Sequence, residues 1–264
     1  MDTHRRLHPS CRAVLALLAV TLVACGGSGS ESGSDAASVR KDVAKALTTA
    51  DRDICELRRY ATDRFVEQDS FSVPELVEVN AKTCRRDVEA FAADAVKLAR
   101  VKVDGDRATA RLVADGGAFG YGVVDLALVR DGTWKLDRIT AVQLDRRKFD
   151  RLQRQFARLD TDPLPAPVVA CFARRIARRS DAEIERAIVR GDSVLVSDPL
   201  LICVVRPTLR RALPLDLTSC VIRQLRRDDD ELLRILLRED EPASQKLFRA
   251  AAEVCAAEGS GRTI

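Results

Sequence analysis

Val101-Lys102-Val103-Asp104-Gly105-Asp106-Arg107-Ala108-Thr109-Ala110-Arg111-Leu112-Val113 decides the fold. Before Arg100, apolar residues recur at helical spacing: Val39, Val43, Ala46 and Leu47, then Ile54, Leu57, Ala61 and Phe65, then Val88, Phe91, Ala95 and Leu98. From Val101 the period drops to two, across an Asp104-Gly105-Asp106 turn. Two further alternating runs, Tyr121 to Arg130 and Thr133 to Val142, flank an Asp131-Gly132 turn. A hairpin turn between alternating strands favours antiparallel pairing. Helices first and an antiparallel sheet afterwards define an α+β layer fold.

Working toward the N-terminus, Arg5, Arg6 and Arg12 precede an apolar run from Ala13 to Val23, then Leu22-Val23-Ala24-Cys25 and a Gly/Ser stretch. Eleven residues cannot cross a hydrocarbon core that needs about 20, so the run reads as a signal-peptide core. Leu22 to Cys25 resembles the bacterial lipobox. That resemblance implies cleavage between Ala24 and Cys25 and diacylation of Cys25, with residues 1–24 removed and 25–37 forming a lipidated, flexible tether. Arg5-Arg6 is not followed by a twin-arginine pattern, so general secretion is expected. The implied location is the outer face of the cell membrane, with the bilayer as a partner through Cys25.

The chain has 264 residues and eight cysteines, and both histidines, His4 and His8, fall in the signal segment. Setting aside Cys11 and the acylated Cys25 leaves Cys55, Cys84, Cys171, Cys203, Cys220 and Cys255, an even set that favours three disulfides in an exported protein. An internal repeat bears on the pairing. Residues 178–192 align without gaps to 226–240 with seven identities in fifteen positions. Each copy carries one early and one late cysteine. Pairing within copies joins Cys171 to Cys203 and Cys220 to Cys255 and leaves Cys55 with Cys84. The rival joins Cys171 to Cys220 and Cys203 to Cys255 across the copies.

The order of elements, with Val101 to Ala110 of the form V-x-V-x-G-x-x-A-x-A and Leu126 to Leu136 of the form L-x-L-V-R-D-G-x-W-K-L, resembles the nuclear transport factor 2-like superfamily, and the Cys55 and Cys84 pair on the helical side resembles its exported lipoprotein members from high-GC Gram-positive bacteria. The resemblance covers residues 38–142 and implies a cone, with helices packed on a curved antiparallel sheet. A cone of this kind serves as enzyme pocket, ligand site or interaction module, so it does not give an activity. In isomerases of this superfamily an inward Asp works with Tyr donors, which makes Tyr121 and Asp125 the candidate pocket residues. Strand alternation instead places Asp125 with Val123, Ala127 and Val129 on the solvated face.

Residues 143–163 read as a connecting helix and a Pro-rich linker. Residues 164–258 read as an all-α domain of two disulfide-stapled helical repeats, and 259–264 as a flexible tail. Gly116 to Gly122 reads as a wide hairpin connection, with a mobile rim as the alternative. The 44 basic residues are 36 Arg and 8 Lys against 40 acidic groups. This mild, interleaved excess argues against nucleic acid.

No histidine follows His8 and no thiol stays free if six cysteines pair. Histidine-based triads and zinc sites are then excluded, and no catalytic residue, metal or cofactor is expected. The expected function is noncatalytic binding of a small apolar ligand or an envelope protein partner. The rivals are a carboxylate-based isomerase, cyclase or hydrolase in the cone, and a structural or regulatory envelope component acting through the helices.

Overall fold

The computed structural model describes residues 31–49, 55–70, 74–156, 165–227, 229–238 and 240–260. The expected signal segment, Cys25 and most of the Pro-rich linker lie outside these residues. Helix α1 (Glu31–Thr48) buries Ala36, Val39, Val43, Ala46 and Leu47, the periodic stripe read from the sequence. It begins seven residues earlier than expected. The tether therefore cannot extend to residue 37, because Ala36 is buried and Asp35 pairs with Arg130. Tertiary contact, not the Gly/Ser composition, sets this boundary.

The helix expected through Leu57, Ala61 and Phe65 is instead a short 3₁₀ turn (Leu57–Arg59) followed by α2 (Asp63–Asp69). The break has a local cause. Tyr60 and Thr62 exchange backbone hydrogen bonds with Leu136, so Ala61 runs beside a strand. Helix α3 (Pro74–Arg86) opens at its proline, and α4 (Val88–Phe91) follows.

Four strands, β1 (Ala93–Asp104), β2 (Arg107–Gly116), β3 (Gly122–Asp131) and β4 (Thr133–Leu144), form one antiparallel sheet in sequential order. Ala95 and Leu98, read as helical, lie in β1. Pairing with β2 overrides the helical spacing of an alanine-containing segment. Ala99 pairs with Arg111 and Lys102 with Thr109, so Arg100 and Val101 oppose Ala110 alone in a bulge, and Arg100 takes a positive φ of 51°. One sheet face is packed: Leu98, Leu112, Val124, Leu126, Leu128, Leu136 and Ile139 are all buried. The opposite face is exposed or half-buried throughout.

Beyond the sheet come α5 (Arg146–Phe156), α6 (Ala166–Ala177), α7 (Asp181–Arg190) and α8 (Val194–Leu200). A π-helical turn (Leu201–Val205) leads from α8 into α9 (Arg206–Leu209). Helices α10 (Leu215–Leu225), α11 (Asp229–Arg238) and α12 (Glu241–Ser260) complete the chain. The last of these carries helix two residues into the expected tail. Ser180 caps α7 in a reciprocal box with Glu183, and Gly191 closes it at φ +64°.

Three disulfides join Cys55 to Cys84, Cys171 to Cys203 and Cys220 to Cys255. This is the within-copy pairing, and it excludes the cross-copy rival. The boundary drawn at 143–163 does not interrupt the core, since buried residues from Val39 to Cys255 form one cluster.

Candidate functional site

Asp125 lies where strand alternation puts it, on the open face. It pairs in register with Arg111, which donates two hydrogen bonds to it at 2.7 and 2.6 Å. The Arg111 hydrogen bond holds the Asp125 carboxyl below its ordinary range. A carboxylate so engaged is a poor proton acceptor at neutral pH.

Tyr121 is placed differently. It precedes β3, and with Ala118 and Phe119 it is buried in the β2–β3 connection. The connection is thus a packed plug and not a mobile rim. Its glycines explain the packing: a Cβ on Gly117 would come within 2.7 Å of Ala93 N and Phe91 O, and one on Gly122 within 2.2 Å of Gln143 O. Tyr121 and Asp125 therefore do not share a pocket. Two consecutive buried positions, Tyr121 and Gly122, break the alternation that would have put both on one face.

The carboxylate coupled to Tyr121 is Asp69, at the end of α2. Asp69 is 4% exposed and Tyr121 1% exposed. Burial pushes the Asp69 carboxyl well above its ordinary range, and burial followed by the Asp69 charge pushes the Tyr121 phenol upward. Tyr121 Oη has no hydrogen-bond partner among the described residues. Asp69 was missed in the sequence, although a signal existed. It follows buried Phe65 by four residues and so continues the apolar stripe of α2.

Beside Asp69, Gln68 ties three elements together. Its Oε1 accepts from Ile139 N–H at 2.8 Å, and its Nε2 donates to Ile139 O at 2.9 Å and Val189 O at 2.6 Å. Gly191 is required there, because a Cβ would sit 2.6 Å from Gln68 O. A second junction lies in the helical half. Asp198, with its side chain 12% exposed, accepts from Arg175 at 2.6 and 3.2 Å and from Arg226, and stands 3.5 Å from Arg179. One carboxylate thus clasps side chains from both repeat-bearing segments.

Among the described residues no group of His, Cys, Asp and Glu is arranged to hold a metal ion, and no helix is long and apolar enough to cross a membrane. Comparison with family models, curated proteins and solved structures returns no match.

Proposed function

We propose that the chain is an exported lipoprotein, acylated at Cys25 on the outer face of the cell membrane, that acts by noncatalytic binding of an envelope protein partner. The reading includes the cone-shaped domain and the two stapled helical repeats inferred from the sequence. Its main support is the filled space over the packed sheet face. Phe65, Phe119, Tyr121, Leu112, Leu126, Leu128 and Leu136 are the largest fully buried side chains, and Leu47 of α1 joins them. Side chains occupy the place a small apolar ligand would take, which moves the binding role to the surface. Leu215 on α10 and Val254 on α12 are among the exposed large apolar residues, 64% and 47% exposed, on two helices stapled by Cys220–Cys255. They are where a protein partner would gain contact area.

Two measurements on membrane-derived protein test this. Intact mass should show an acylated Cys25. Organic extraction followed by mass spectrometry should release no stoichiometric apolar ligand besides those acyl chains. A retained ligand would overturn the partner reading, and an unmodified or differently cleaved N-terminus would overturn the anchor.

The buried Asp69, whose charge acts on the buried Tyr121, is the one observation favouring the carboxylate-based enzyme. Both groups are sealed from solvent, so turnover would require the plug at Gly117 to Gly122 to open. Hydrogen exchange at Phe119 and Tyr121 no slower than that of exposed turns would support the enzyme, and global-unfolding protection would exclude it.

A further inference from the structure

Among the described residues, the uncovered sheet face carries more cations than carboxylates. Of its carboxylates, Asp125 is engaged by Arg111, Asp131 by Lys135 and Asp115 by Lys148 at 4.0 Å, while Asp104 stands opposite Arg107 in the β1–β2 register. Five exposed cations, Lys97, Arg100, Lys102, Arg107 and Arg138, have no ion pair among the described residues. Register places Lys102 beside Thr109 and Ala127 beside Arg138, so these charges spread over neighbouring strands and form no pocket. Arg100 stands on the bulge, and its charge reaches Asp125. Between the cations lie small aliphatic groups such as Val113 and Ala141. A broad, shallow, basic face of this kind suits a planar array of anions.

The chain length outside the described residues says which array is within reach. Helix α1 starts at Glu31, so five residues separate it from Cys25, a reach of about 20 Å at full extension. Asp35 in the first half of α1 is pinned to Arg130 near the end of β3, and Arg130 N–H donates to Asp106 O in the β1–β2 turn. The start of α1 therefore sits at the sheet end that bears both hairpin turns, close to Lys102 and Arg107. A tether extending to residue 37 would have left the orientation free, whereas one ending at Glu31 brings this end of the sheet to the bilayer.

We infer that the open sheet face docks on the anionic phospholipid headgroups of the membrane to which Cys25 anchors the chain. The inference rests on the proposed acylation for proximity. Turning about this tethered end brings the basic face to the lipid, where it adds electrostatic contacts to the acyl anchor.

The test uses the mature chain, residues 25–264 with Cys25→Ser, exported on an ordinary cleavable signal peptide so that it has neither acyl group nor apolar leader, with vesicles of phosphatidylcholine alone or with phosphatidylglycerol added. Binding should require the anionic lipid and weaken with salt. Lys97→Gln/Lys102→Gln/Arg107→Gln/Arg138→Gln should reduce partitioning roughly 10²- to 10³-fold, at about 1 kcal/mol per basic residue. A control of equal charge change, Arg151→Gln/Arg154→Gln/Arg210→Gln/Arg211→Gln, should bind like the parent, and circular dichroism of each variant should match it. Equal loss in both quadruple variants would reduce the effect to net charge and overturn the inference. So would binding of polyglutamate without binding of anionic vesicles, which would assign the face to an acidic protein. Because the probe has no anchor, failure here leaves the acylation reading to be judged separately by the intact mass of the membrane-derived protein.

Discussion

Replacing Cys171 and Cys203 with alanine tests the architecture most directly. The cross-link closes a segment of sequence separation 32, and the chain-entropy relation for a loop of that size gives about 3.7 kcal/mol at 25 °C. The companion staple, Cys220–Cys255, has a separation of 35, and the same relation gives about 3.8 kcal/mol, so the two double variants should be nearly equal. Both staples lie within one repeat-bearing segment, yet Asp198 binds Arg175 and Arg226 across the segments. Cutting one staple should therefore lower a single shared transition and should not release one segment to melt alone. Urea unfolding under non-reducing conditions, followed by circular dichroism and tryptophan fluorescence, would read the midpoint and the slope. The slope should rise as the unfolded chain loses a constraint and exposes more surface. A loss below about 1 kcal/mol, or two separated transitions, would refute the reasoning, because loop closure and the Asp198 clasp would then not act as described.

Tyr121→Phe should raise stability by about 1 to 2 kcal/mol, since it removes a buried hydroxyl with no hydrogen-bond partner among the described residues while keeping the ring. A lower urea midpoint would show that the hydroxyl makes a bond worth retaining. Asp69→Asn should change the pH dependence. The folded-state pKa of Asp69 is raised, so its favourable contribution is complete below the ordinary carboxylate value and is lost as pH rises through the folded value. Wild-type stability should fall across that window and the variant should fall less, and parallel curves from about pH 4 to 8 would contradict this. Ser180→Ala removes the acceptor for Glu183 N–H at the start of α7 and should cost about 1 kcal/mol, with no measurable change indicating that the cap is replaced by water.

How much was legible follows the range of the interactions involved. Val39, Val43 and Leu47 announced α1, and Asp104-Gly105-Asp106 and Asp131-Gly132 announced the two tight turns, because helix faces and hairpins are specified by neighbours a few residues apart. The repeat carried the disulfide pairing for the same reason, as each staple closes within one copy. Ala95 and Leu98 misled because their three-residue spacing mimics a helix face, whereas pairing with β2 puts Ala95 on the open sheet face and Leu98 on the packed one. Tyr121 and Asp125 misled because alternation assumes that the strand begins at Tyr121, whereas the glycine-dependent plug delays it to Gly122.

The sequence alone determined the α+β order, the antiparallel turns and the solvated position of Asp125, and its repeat favoured the within-copy cysteine pairing that the structure then selected. Each depends on periodicity or on a copy-to-copy match that survives without knowing the fold. Tertiary structure decided what lies between those elements: that Asp69 and Tyr121 are both buried, that helices fill the space over one sheet face, and that five cations on the other have no ion pair among the described residues. Those outcomes depend on groups distant along the chain meeting at the same place, Gln68 against Val189 or Asp35 against Arg130. No local pattern encodes which distant group will arrive, because burial and pairing energies are set only once the whole chain has packed.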